Sequence, residues 1–253
     1  MRQFDVFVFD NTSEFDSWQP TFEDPALGWF HTKDWNKDLN ELEAEWIVFA
    51  HPSINIDREF LNELAIETDS FPMVDAFAPR VKSNGHFYGG LLIDGSRGFS
   101  PISELEELRY VAGPNPLIGV FSRRIIQRTG LFDQDLPESL RLLDYSLRMA
   151  HAGGKMFSVP YLVAKAFDEK IDENLQCKLD GTFLNQGSMA KELWPVMYKN
   201  MQHGTTLSYT MRHPTTMGMF IKTSQELDEK RNKAVLLSKL SEKHLNAISV
   251  KKK

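Results

Sequence analysis

Phe4 to Phe9 sets Asp5 among large apolar side chains and runs apolar into Asp10-Asn11-Thr12-Ser13. This pattern predicts a buried strand that ends in a polar turn, with Asp10 at its carboxyl end. Trp46 to Ala50 is a continuous apolar run with His51-Pro52-Ser53 directly after it, as expected of a central strand covered on both faces. The polar stretch Asp34 to Glu45 between them predicts a short helix. Strand, helix, strand is the pattern of a parallel sheet, whose ligands bind beyond the carboxyl ends of the strands. Asp10 and His51 are therefore expected on one edge.

Phe60, Leu61, Leu64 and Ala65 recur at helical spacing within Asp57 to Thr68, with Asp57 as the expected N-cap. Val74 to Val81 reads as a third strand and the Gly-rich stretch Ser83 to Ser100 as a hairpin or loop. Leu117 to Phe121 predicts a strand, Arg123 to Thr129 a helix closed by Gly130, and Ser139 to Ala152 a helix stopped by Gly153-Gly154. Met156 to Ala164 predicts a further strand. Beyond about Lys170 the alternation fades, and an amphipathic stretch runs from Gln225 to Ile248. The reading is an α/β core over residues 1–169 and a mainly helical extension over 170–253, with a mostly parallel central sheet flanked by helices.

Composition narrows the class. The 253 residues are 42% hydrophobic and 25% charged, ordinary values for one folded domain with an appendage. Cys177 is the only cysteine, so an intramolecular disulfide and a Cys-rich zinc site are excluded. With no run apolar enough to cross a bilayer and no leader-like start, the expected location is the cytoplasm. A formal net charge of −6 argues against a nucleic-acid partner. The Lys- and Arg-rich end from Lys230 to Lys253 reads either as a solvated helix or as a weak peripheral contact for anionic lipid or polymer.

The order of these segments carries a resemblance. VFVFDNTSEFD (Val6 to Asp16) is similar to the strand and turn of GT-A-fold, family 2-like glycosyltransferases that reach the nucleotide base. WIVFAHPSINIDREFL (Trp46 to Leu61) is similar to their segment with the metal-binding D-x-D, and Gly130-Leu131-Phe132-Asp133 through Arg148 to Gly153 resembles their acceptor-side stretch. Met156 to Lys165 corresponds to the strand followed by histidine. The resemblance implies a GT-A-like (Rossmann-like) core and transfer of a sugar from a nucleotide-diphosphate donor, expected to be a uridine one, to a hydroxyl acceptor such as a surface glycan.

The resemblance also locates the departures. The D-x-D positions read His51-Pro52-Ser53, so Mg²⁺ or Mn²⁺, which prefer carboxylate oxygen, are doubtful cofactors. At the position of the late histidine stands Lys165, either an ammonium replacing the lost cation beside the diphosphate or a strand end at the surface. The usual catalytic aspartate falls on Leu142, which leaves Asp144 as the candidate base, with Glu138 and Asp135 behind it. Asp144 reads equally as the partner of Arg148 one helical turn later.

For the nucleotide, Asp10 is the leading candidate, able to accept from a uracil N–H, with Asn11 and Ser13 beside it; an Asx-turn is its other reading. His51 and Ser53 are expected near the diphosphate, while Arg80 and Lys82 either reach phosphate or are simply solvated. No H-E-x-x-H, P-loop or G-x-S-x-G pattern is present. The competing functional reading is a catalytically silent nucleotide-sugar-binding or scaffold protein that keeps the fold.

Overall fold

The computed structural model describes residues 3–9, 20, 22, 24, 27–32, 34–37, 39, 43–94, 98–134, 136, 138–180, 214 and 238–250. Thirteen strands occur among them: β1 Phe4–Phe9, β2 Leu27–Thr32, β3 Trp46–Ala50, β4 Ile54–Asn55, β5 Ala76–Phe77, β6 Arg80–Ser83, β7 His86–Tyr88, β8 Leu91–Asp94, β9 Gly98–Pro101, β10 Arg109–Tyr110, β11 Ile118–Ser122, β12 Met156–Ser158 and β13 Val163–Ala166. The α-helices are α1 Arg58–Ser70, α2 Arg123–Thr129, α3 Glu138–His151, α4 Glu173–Leu179 and α5 Glu242–Ala247.

A seven-stranded sheet runs in the order β10-β12-β5-β11-β3-β1-β2. All of β1 and β3 is buried, and their alternate side chains feed two cores. Phe7, Phe9, Ile47, Phe49 and Phe121 meet Ile125, Leu142, Tyr145 and Met149 of α2 and α3 on one face. Val6, Val8, Val48 and Val120 meet Phe60, Leu61 and Leu64 of α1 on the other. Period-two strands between period-3.6 helices explain why the apolar runs are continuous. Asp5 stays in this wall, fully buried, because its Oδ2 accepts from the backbone N–H groups of Glu43 at 3.0 Å and Ala44 at 2.9 Å.

Several expectations hold. Asp57 caps α1 by accepting from the Phe60 N–H at 2.8 Å. Ser122 caps α2, which closes on Gly130 at φ 90, a left-handed angle that favours glycine. The hairpin expected after Ser83 is present twice, as β6–β7 around Asn84-Gly85 and as β8–β9.

Others are corrected. The sheet is mixed rather than mostly parallel, because β11 runs antiparallel to both β3 and β5 and β10 antiparallel to β12. Of the helix expected over 34–45, the described residues show a turn at Trp35–Lys37 and a 3-10 conformation at Leu39, and residues 38 and 40–42 lie outside the described residues; the Asp34 carboxylate accepts from the N–H groups of Asn36 and Lys37 and holds the turn. The segment before it, β2, is an additional parallel strand beside β1. The expected strands Val74 to Val81 and Met156 to Ala164 each split in two, with β5 and β12 in the large sheet and β6 and β13 in a second sheet of order β4-β13-β6-β7.

Of the expected helical extension, α4 and α5 are described and most of the rest lies outside the described residues. The stretch around α5 docks on the core: Lys239 N–H donates to His151 O at 2.6 Å, Ile93 N–H to Ile248 O, and Val250 N–H to Ile93 O. No helix among the described residues is long and apolar enough to cross a membrane.

Candidate functional site

The parallel register Phe4↔Trp46 through Val8↔Ala50 brings the carboxyl ends of β1 and β3 to the same edge. The Phe9 ring meets the His51 imidazole edge-on, with centroids 6.0 Å apart. Asp10, Asn11 and Ser13 follow β1 at this edge in sequence but lie outside the described residues.

The His51-Pro52-Ser53 turn is held by its own side chains. His51 Nδ1 lies 2.9 Å from Ser53 Oγ and accepts from the Ser53 N–H at 3.2 Å. A backbone N–H can only donate, so Nδ1 is the acceptor and the proton of the neutral ring sits on Nε2. Ser53 is buried, and Ile54 N–H donates back to His51 O at 2.9 Å.

From this turn the chain enters the second sheet. β4 pairs antiparallel with β13, Asn55 opposite Lys165 and Ile54 opposite Ala166, and Phe167 N–H donates to Ser53 O at 2.8 Å. The tips of β1 and β3 and the end of β13 thereby come to one side, although the first, second and last strands do not run side by side as expected: β12 is separated from β3 by β5 and β11, and β13 belongs to the second sheet. One contributor was missed: Asp168 accepts at Oδ1 from Ser83 Oγ at 2.7 Å and from the Asn84 N–H at 3.1 Å, tying the β6–β7 hairpin to the end of β13. The signal for it, a carboxylate two residues past a strand end, is close to the one that singled out Asp10.

Lys165 reaches this region with its charge already answered. Its ammonium hydrogen-bonds Glu59 and lies 3.6 Å from Asp57, both at the start of α1. The Glu59 hydrogen bond, then the Asp57 charge, hold its pKa above the usual lysine value. Asp144 lies in α3, buried, with its Oδ2 accepting from Arg148 Nε at 2.8 Å. Arg80 opens β6, where it is the register partner of Val163. That is four residues back along the strand from the level of Phe167, about 13 Å at the usual rise. Its guanidinium contacts the carbonyls of Pro160 and Ser103.

The residues present at the D-x-D positions do not fit a hard divalent cation. They offer no carboxylate, the Nδ1 lone pair of His51 is spent on Ser53, and the carboxylates of Asp57 and Glu59 answer Lys165. Among the described residues no group of three or more His, Cys, Asp or Glu side chains is arranged to hold a metal. A cavity of about 260 Å³ lies at the opposite edge, where Gln3, Trp46 and Ser122 mark the other ends of the strands.

No protein-family model matches the sequence. No curated protein matches it either. Solved structures do match. GalNAc-T7, solved with UDP, GalNAc and Mn²⁺, aligns over 92% of this chain at 11% identity and a TM-score of 0.55. The chain spans about half of that protein, 54% of its length. The mannosyltransferase PcManGT from Pyrobaculum calidifontis, in complex with GDP-Man and Mn²⁺, aligns over 97% of this chain and 85% of its own at 10% identity and a TM-score of 0.46. S. aureus TarS 1-349, in complex with UDP-GlcNAc, aligns over 98% of this chain and 84% of its own at 13% identity and a TM-score of 0.47. The chain thus has an α/β fold with a mixed central sheet, similar to that of GT-A glycosyltransferases.

Proposed function

We propose that the protein is a glycosyltransferase that takes a sugar from a nucleotide-diphosphate donor, a UDP-sugar by preference, and transfers it to a hydroxyl acceptor. The observation that carries this reading is the gathering of the β1 tip, the His51–Ser53 turn and the end of β13 on one side of a GT-A-like sheet. In the expected chemistry the acceptor oxygen attacks the anomeric carbon, the bond to the diphosphate breaks with its electron pair leaving on phosphate, and a base takes the acceptor proton. Asp10 accepts from the base N–H, with Asn11 and Ser13 beside it, and His51 and Ser53 lie along the diphosphate. Lys165 faces the departing charge only by sharing its ammonium with Glu59 and Asp57. Asp144 is the acceptor-side carboxylate, with its pair to Arg148 as the competing role.

A second reading has its own support: His51 is held by Ser53, Lys165 by Glu59 and Asp57, and Asp144 by Arg148, as in a nucleotide-sugar binder that has lost the chemistry. Calorimetric titration with UDP, UDP-sugars and GDP-mannose, with Mn²⁺ or with chelator, and an assay of sugar release on the same samples, decide between them. Binding of a UDP compound that survives chelation, with sugar released or transferred, is the expected result. Binding without turnover selects the silent binder, and no response to any nucleotide removes both.

A further inference from the structure

The second sheet has one covered and one open face. In β6, Val81 and Ser83 are buried while Arg80 and Lys82 turn outward, the alternation of a strand with one solvated side. Register carries that outward side across all four strands as a row: Asn55, Lys165, Lys82 and Phe87. Adjacent like charges on one face repel. Lys165 is compensated by Glu59 and Asp57. Among the described residues Arg80 and Lys82 form no ion pair.

Arg80 is the more telling of the two. Its guanidinium lies 4.3 Å from the Phe87 ring centre, with the Lys82 ammonium 5.9 Å from the same ring. Its nitrogens find only the carbonyls of Pro160 at 3.3 Å and Ser103 at 3.5 Å, and its Nε is buried with no hydrogen-bond partner. Burial lowers its pKa. A half-buried cation without an anion is costly, and the chain does not lack acids, with 35 Asp and Glu against 29 Lys and Arg. Glu104, Glu106 and Glu107 lie just past Ser103 in the chain, exposed, and none of them pairs with it. Next to Pro160 in the chain, Tyr161 is 74% exposed.

We propose that this face binds an acidic oligosaccharide, its carboxylates paired with Arg80 and Lys82 and a sugar ring packed on Tyr161. This names the acceptor class for the transfer proposed above, and rests on that reading. The guanidinium fork matches a carboxylate in two parallel hydrogen bonds, and an aromatic ring offers the apolar surface that the C–H face of a sugar covers. A phosphate-backbone polymer suits a longer basic surface than two cations on a chain of net charge −6.

The test is calorimetric titration of the full chain with a short oligogalacturonate, a neutral malto-oligosaccharide and inorganic polyphosphate, with UDP titrated in parallel. We expect the oligogalacturonate to bind, to weaken with added salt, and to lose about tenfold in affinity, or about 1.4 kcal/mol, in Lys82→Gln and in Tyr161→Ala, with a larger loss in Arg80→Gln. Lys82 and Tyr161 are surface residues, so their variants report even where Arg80→Gln melts early. No binding, unchanged binding in the variants, or equal binding of polyphosphate or the neutral sugar overturns the proposal. Oligogalacturonate binding without UDP binding would leave this surface standing and remove the donor reading; the reverse would remove this surface alone.

Discussion

Phe167 donates its backbone N–H to the carbonyl of Ser53 at 2.8 Å, which stitches the end of β13 to the turn that follows β3. The backbone of Phe167, at φ −79, already has an angle that proline adopts. Phe167→Pro therefore keeps the backbone angle but removes this hydrogen bond and sets the ring Cδ against the Ser53 carbonyl, forcing the two segments apart, and Phe167→Ala serves as the control for the lost ring. Relative to Phe167→Ala, we expect a loss of more than about 1 kcal/mol in urea unfolding, accompanied by weaker UDP binding. UDP affinity equal in the two variants would separate the turn from the donor site.

Asp57 has two duties, capping α1 and facing Lys165. Asp57→Ala is expected to cost about 1 kcal/mol for the cap, and Asp57→Asn, which can still cap, less. The ranking is read from denaturant midpoints.

The Asp144–Arg148 pair distinguishes a structural from a chemical role. Asp144 has its side chain 3% exposed and Arg148 21% exposed, so removing one partner leaves a desolvated charge. Asp144→Ala is expected to destabilise by about 3 kcal/mol, and Arg148→Met to recover part of that loss in the double variant. A base without structural duty would give the other pattern: turnover abolished in Asp144→Asn with the unfolding midpoint unchanged.

Glu67 supplies a pH signature. It is 8% exposed, and burial first, then the charge of Glu63, raise its pKa above the ordinary glutamate value. A carboxyl whose pKa rises on folding binds its proton more tightly in the folded state, so its stability contribution is fullest below the unfolded value and is lost as pH climbs through the folded one. Glu67→Gln should thus melt higher than the parent at neutral pH, with the gap narrowing as the pH falls toward the usual glutamate range. A constant gap across that range would contradict the assignment.

Local signals explain what was legible. The apolar runs of β1 and β3, the Asp57 cap, and the glycines that close α2 and α3 are decided within a few residues, and they stand where the sequence put them. Strand direction and sheet membership depend on partners far away in sequence, which is why the antiparallel course of β11 and the split strands were not read. A signal for the splits was present: Pro79 and Pro160 interrupt the two apolar runs, and proline cannot supply the ladder donor of a central strand. As candidates, His51, Ser53 and Lys165 were readable by position. That Lys165 would be answered by Glu59, more than a hundred residues away, was not.

Those two interruptions govern how the molecule can move. The chain leaves the large sheet for the small one three times, and the passages from β5 to β6 and from β12 to β13 lie alongside each other: Phe77 beside Phe157 before the break, Arg80 beside Val163 after it, with Ala78 N–H donating to Phe157 O and Ser158 Oγ to Ala78 O between them. One strand alone would be a swivel. Two, cross-braced, resist both torsion and sliding, so the two sheets are built as a single chassis.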